Sequence, residues 1–199
     1  MSSDGIPPDA LANAMFLLLT MVTAGVVHVW WLSWARSGPL MQPLDRGLTY
    51  KERRIFGDNK RLRGLVVMPA AAAASFWLVW TLREMLPAWL ARGLWDLRPG
   101  QYVLLGFAAG LAFMLAELPN SFLKRRLGVP PGQMPHAGWA RLACPLLDRV
   151  DSVLGTLIVV SLLVPVSGMT WVWVLLIGPG LHAIFSSVLF RLRVKERAL

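Results

Sequence analysis

Glu117-Leu118-Pro119-Asn120-Ser121-Phe122-Leu123-Lys124-Arg125-Arg126 and Leu147-Asp148-Arg149-Val150-Asp151-Ser152 decide how this chain is read. The first closes a long apolar stretch and the second opens the next. Together they place carboxylates and cations at adjoining ends of two segments that otherwise suit lipid. Charge at membrane depth is costly and is kept where it has a use.

Working outward, 56% of the 199 residues are hydrophobic, ten are Trp, and the mean hydropathy is +0.54. These values describe a polytopic membrane protein rather than a soluble domain. The apolar residues fall into blocks near the ~20 needed to cross a ~30 Å hydrocarbon core. Five are read: Ala10 to Trp34, Leu65 to Leu82, Tyr102 to Ser121, Leu146 to Val166 and Thr170 to Phe190. Backbone amides must be paired in lipid and the blocks do not alternate in polarity, so helices are expected. With no tandem repeat or low-complexity linker, residues 1–199 read as one all-α domain, a membrane-embedded helical bundle of about five spans.

The distribution of Lys and Arg sets the expected orientation. Eight lie between the first two spans, five (Lys124, Arg125, Arg126, Arg141, Arg149) around the junction of the third and fourth, and four after the fifth. The other side holds only Arg83, Arg92 and Arg98, against Asp4, Asp9, Glu84 and Asp96. The N-terminus is therefore expected outside and the C-terminus in the cytoplasm. This accounts for most of the net charge of +9, with anionic membrane lipids rather than nucleic acid as partners. Met1 to Gly5 carries no positive leading region, so the first span is expected to stay as an anchor. The single Cys144, expected on the cytoplasmic side, excludes an intramolecular disulfide and a cysteine metal cluster.

Several features have a packing explanation. Ala70 to Ala74, Gly106 to Gly110 and Gly178-Pro179-Gly180 let helices approach closely. The Trp residues at 30, 31, 34, 89, 95, 171 and 173 sit near span ends, where indole suits the interface. His28 and His182 lie inside spans, and a hydrogen bond between helices is the plainer expectation for each.

Three polar clusters on the cytoplasmic side are harder to assign to packing. In Phe56-Gly57-Asp58-Asn59-Lys60-Arg61-Leu62-Arg63-Gly64, glycines allow close backbone approach to an anion, and Asn59, Lys60 and Arg63 offer donors to phosphate oxygens. Glu117, Ser121 and Lys124 fall at i, i+4 and i+7 and line one helix face, with Pro119 freeing a carbonyl between them, where a kink is expected. The positive-inside rule explains Arg125 and Arg126 but gives no reason for Glu117. Asp148, Asp151, Ser152 and Gly155 share a face of the fourth span, and two carboxylates at i and i+3 can grip a hard cation such as Mg²⁺. The simpler account is that acids at a helix N-terminus answer its dipole, at roughly 0.3–1 kcal/mol each. Carboxylates for Mg²⁺ beside cations for phosphate are the ingredients of phosphoryl or nucleotidyl transfer.

The stretch 117–126, followed by Asp148-Arg149-Val150-Asp151-Ser152, resembles the signature of the CTP-transferase family of integral membrane enzymes, which includes CDP-diacylglycerol synthases. Gly57-Asp58-Asn59-Lys60 through Arg63-Gly64, with the small size and few spans, is more similar to the CDP-archaeol synthase branch. The resemblance covers about 30 residues in three places. It implies an enzyme that transfers CMP from CTP to a lipid phosphate in a bacterial or archaeal cell membrane, giving a CDP-lipid and pyrophosphate, with Mg²⁺ as cofactor and a homodimer as the assembly. Carried over, Asp148 and Asp151 match the metal-binding acids, Glu117 stands where the family commonly has Asp, and Ser121, Lys124 and Arg125 match its Ser and Lys-Arg positions. Asn120 replaces an acid of the diacylglycerol branch, and Arg61-Leu62 departs from the Thr-Trp of the archaeol branch.

The expected mechanism follows from charge: an anionic lipid phosphate must attack an anionic nucleotide. Mg²⁺ on Asp148, Asp151 and Glu117 would reduce the repulsion, while Lys124, Arg125 and the Lys60 to Arg63 group hold phosphate oxygens. The alternative class is a non-catalytic membrane protein, either a homologue that binds nucleotide or CDP-lipid, or a small carrier. A carrier should carry charge at mid-membrane and often related halves, and the sequence offers neither.

Overall fold

The computed structural model describes the backbone of residues 6–34, 38–130 and 140–191. Within these, the side chains of 32, 33, 140–146, 148, 149, 182, 185, 186 and 188–191 lie outside the described residues, as do Cys144, His182 and Arg141 among the expectations above.

Five long helices, α1 (Ala10–Trp34), α2 (Leu62–Thr81), α4 (Pro99–Arg126), α5 (Ala140–Leu163) and α6 (Gly168–Arg191), carry the chain, with a one-turn α3 (Ala88–Ala91) between α2 and α4. The described parts of α1, α2 and α4 are each long and apolar enough to span a membrane, and Val150–Leu163 and Gly168–Leu181 are shorter apolar stretches within α5 and α6. The all-α membrane bundle expected from composition is thus what forms, with one addition. Strands β1 (Thr49–Tyr50) and β2 (Arg53–Arg54) pair antiparallel in the α1–α2 loop, turning through Lys51 and Glu52 at positive φ of 50° and 63°. Neither residue is the Gly or Asn usual in such a turn, so pattern reading misses it.

The helices close a ring: α1 packs on α2, α2 on α4, α4 on α5, α5 on α6, and α6 returns to α1. Small residues set the α2–α4 contact. A Cβ at Gly106 would lie 2.6 Å from the Ala72 carbonyl oxygen, and one at Gly110 would lie 2.8 Å from Pro69 Cα, so both glycines are needed for α2 and α4 to touch backbone to backbone.

α4 begins three residues earlier than hydropathy suggests. Pro99 suits the first helical position, and the Gln101 side chain accepts from the Arg98 N–H at 2.8 Å. The helix continues through Pro119 and ends where Gly128, at φ 78°, donates to the Arg125 carbonyl and Val129 to that of Lys124, a Schellman closure. That extension keeps Lys124, Arg125 and Arg126 helical.

One end of the bundle is filled by Phe16, Phe76, Trp95 and Tyr102. Phe16 meets the other three edge-on at 5.2, 5.8 and 6.0 Å between ring centroids. Trp95 is therefore a core residue, only 7% exposed, with its indole donating to the Pro165 carbonyl, rather than the interfacial residue expected. Trp171 likewise turns inward to Ser161, whereas Trp30, Trp34 and Trp89 are exposed.

Candidate functional site

The opposite end gathers the polar clusters. Alternation along the chain brings there the end of α1, the start of α2, the end of α4 and the middle of α5, with the α1–α2 loop folded across them. Because α5 begins at Ala140, Asp148 and Asp151 do not stand at a helix N-terminus as expected. That loop is organised by Asp45, whose side chain is fully buried. Its carboxylate accepts from the backbone amides of Phe56 (3.0 Å), Gly57 (2.9 Å) and Gly47 (3.2 Å) and pairs with the Arg54 guanidinium. Burial alone would push the Asp45 carboxyl up. The hydrogen bonds from Arg54 and from the amides of Gly57, Phe56 and Gly47 override it and hold the carboxyl far below the usual carboxylate range. Asp45 is a residue that sequence reading missed.

A second link runs between the loop and α4. Arg126 donates to the backbone carbonyls of Tyr50, Arg53 and Arg54, while Arg53 donates to the last carbonyls of α4, at 2.7 Å for Arg126. Arg126 also lies over the rings of Tyr50 and Phe122. It clamps the hairpin, a more specific role than orienting the chain in the membrane.

Held this way, the segment before α2 is in place. Leu44 N–H donates to the Lys60 carbonyl at 2.8 Å and Leu62 N–H to that of Gln42 at 3.1 Å. Lys60 then reaches α4 and forms an ion pair with Glu117, both partly buried. The other Glu117 oxygen lies 3.2 Å from the Ser152 hydroxyl, which is also 3.2 Å from Asp151. Asn120 donates to the second oxygen of Asp151 at 3.1 Å. An amide at 120 can donate to Asp151, which an ionised carboxylate could not. Asn59, Lys60, Arg61, Arg63, Glu117 and His28 line a cavity of about 130 Å³. This falls below the ~300 Å³ at which a pocket encloses a whole drug-sized ligand, and it suits a phosphate group.

Of the residues singled out in the sequence, Asn59, Lys60, Arg63, Glu117 and Asp151 come together here. Ser121 and Arg125 are buried, 8% and 6% exposed, on α4 and do not line the cavity; the Arg125 Nε and Nη1 have no hydrogen-bond partner among the described residues. Lys124 occupies the turn of α4 after Ser121. Asp148 lies on α5 one turn before Asp151, with its side chain outside the described residues. Ser152, 1% exposed and read in the sequence as sharing a face with Asp148 and Asp151, joins the set. His28 is an addition to it: its Nε2 has no hydrogen-bond partner among the described residues, in place of the interhelical bond expected.

The donor chemistry fits a hard cation. Two carboxylates within reach of one hydroxyl repel each other, and only one of them can receive its proton. Among the described residues no three His, Cys, Asp or Glu side chains gather to hold an ion, so a three-carboxylate set depends on Asp148.

The structure is thus a ring of membrane helices with a cluster of carboxylate, lysine and arginine side chains at one end. The profile described as CarS-like, CDP-archaeol synthase, matches residues 11–198. The CDP-archaeol synthase of Halobacterium salinarum is 31% identical over 161 residues, spanning 78% of this chain and 82% of that protein. That of Sulfolobus acidocaldarius is 29% identical, spanning 72% and 74%. A solved structure described as an intramembrane enzyme for archaeal membrane lipid biosynthesis superposes with a TM-score of 0.62 at 24% identity, covering 89% of this chain and 95% of that one, and shares the fold. The chain belongs to the CDP-archaeol synthase family and is a membrane cytidylyltransferase.

Proposed function

We propose that the protein transfers CMP from CTP to the phosphate of an ether-linked isoprenoid glycerol lipid, giving a CDP-archaeol-type product and pyrophosphate, at a site facing the cytoplasm. The observation that carries this reading is the junction at Ser152, where Glu117 and Asp151 meet beside Lys60 at the polar end of a membrane bundle. In the reaction a lipid phosphate oxygen attacks the α-phosphorus of CTP. A P–O bond forms there, the bond from the α-phosphorus to the α,β-bridging oxygen breaks, and pyrophosphate leaves with the electron pair. No protein nucleophile is required.

Lys60, Arg61 and Arg63 neutralise phosphate oxygens in the cavity, and Asn59 orients them by hydrogen bonding. Ser152 and Asn120 hold Asp151 in position, and Lys60 holds Glu117. Glu117, Asp148 and Asp151 would hold Mg²⁺, which supplies charge neutralisation for the substrate phosphates. Lys124 and Arg125 belong to the same basic end of α4 and add to its positive potential.

The test is pyrophosphate release by detergent-purified protein given CTP and Mg²⁺, with an ether-linked isoprenoid glycerol phosphate and a diacyl phosphatidate in separate reactions and Asp151→Asn as control. Release with the ether lipid, lost in the control, is expected. Release with phosphatidate alone would transfer the assignment to diacyl lipids, and release equal in the control would remove Asp151 from the site.

A further inference from the structure

His28 sits in the apolar helix α1, within the candidate membrane span Ala10–Trp31, and a polar ring there needs a reason. It lines the cavity with Lys60, Arg61, Arg63 and Glu117. The cations around it already have protein acceptors: Lys60 has Glu117, Arg61 has the Asp58 carbonyl, and Arg61 and Arg63 both reach the Met41 sulfur. The His28 Nε2 is shut off from solvent and has no hydrogen-bond partner among the described residues. A buried nitrogen left unpaired destabilises the fold, and replacing it by an apolar group would relieve that cost.

Resting on the reading above, we propose that the His28 ring turns toward the cavity when substrate binds and its imidazole hydrogen-bonds a phosphate oxygen of that substrate, making α1 part of the substrate site. Three cations against one carboxylate leave the cavity wall positive, so an anion is the partner the surroundings select. An imidazole N–H contributes a directed donor without adding a further fixed charge. The phosphate belongs either to CTP or to the lipid.

The test measures kcat, and KM for CTP and for the lipid phosphate separately, in the wild-type protein, His28→Leu and His28→Gln, with thermal melting in detergent for each. Loss of a hydrogen bond to a charged oxygen is expected to raise one KM roughly ten- to a hundredfold in His28→Leu. The same variant should melt at the wild-type temperature or above, and His28→Gln, which keeps an amide donor, should recover most of the affinity. The KM that moves identifies the source of the phosphate. A folded His28→Leu with both KM values and kcat unchanged overturns the proposal. If the Leu variant does not fold, His28→Gln is set against His28→Asn, whose amide is too short. A tenfold weaker Asn variant supports the contact, and equal values overturn it. Absence of wild-type turnover with any lipid phosphate removes the functional reading and this inference with it, whereas wild-type turnover beside an unaffected Leu variant removes the inference alone.

Discussion

The two ends of this bundle are built to opposite rules. At the end holding α3, the loops are stitched to the helices by neutral hydrogen bonds. Asn13 donates to the Gly93 carbonyl at 2.7 Å, Trp95 to Pro165 at 2.8 Å, and Thr170 to Ala10 at 3.2 Å, around the Phe16 aromatic cluster. At the other end, paired and unpaired charges crowd the same space. Of the five buried side-chain polar atoms without a partner among the described residues, four belong to His28, Arg125 and Arg126 at this end, and one to Asn13 at the other. One end is held by satisfied neutral contacts; the other leaves buried polar atoms without partners, at a cost to stability.

The comparison breaks if substitutions at the two ends have the same consequence. The largest effect is expected from Asp151→Asn, which should abolish turnover while leaving melting in detergent near wild type, measured by pyrophosphate release beside a thermal scan. Phe16→Ala should do the reverse. A fully buried ring is lost, at a cost of about 3–5 kcal/mol, lowering the melting temperature sharply with little change in KM of the surviving protein. Wild-type stability in that variant would show that the aromatic end is not the anchor.

Smaller effects sharpen the picture within the polar end. Arg126→Ala should release the hairpin, costing about 1 kcal/mol locally once solvent screening is allowed for, and should speed proteolysis at residues 49–54 before it affects the core. The smallest concerns Asp45. Its folded-state pKa lies below the unfolded value, so its contribution is complete above about pH 4 and is lost as pH falls from there toward the folded-state value. Hydrogen exchange of residues 43–61 should rise across that acid range, and Asp45→Asn should remove the pH dependence. An identical acid response in the variant would assign the transition to another carboxylate.

Much of the site was legible because charge inside an apolar sequence is conspicuous. Glu117 and Asp151 stood out for that reason, and both meet at Ser152. Lys60 was legible as a phosphate donor but not as the partner of Glu117, because the two are 57 residues apart and only the folded loop brings them into contact. Arg126 read as a topology signal, since nothing local reveals that three carbonyls of a distant hairpin accept from it. His28 read as a packing residue, because a single polar residue in an apolar helix has no pattern to give it direction.

By itself the sequence determined that this chain is a membrane bundle of helices, and it marked the acids and cations near the end of α4 and within α5 as the candidate site. Segment length, hydropathy and the cost of buried charge act locally and along the chain, so they can be read there. Tertiary structure alone decided which cation meets which acid, that Asp45 organises the loop over the site, and that α1 brings a histidine to its wall. Those outcomes depend on contacts closed through space by helix packing at Gly106 and Gly110, a geometry that no single segment encodes.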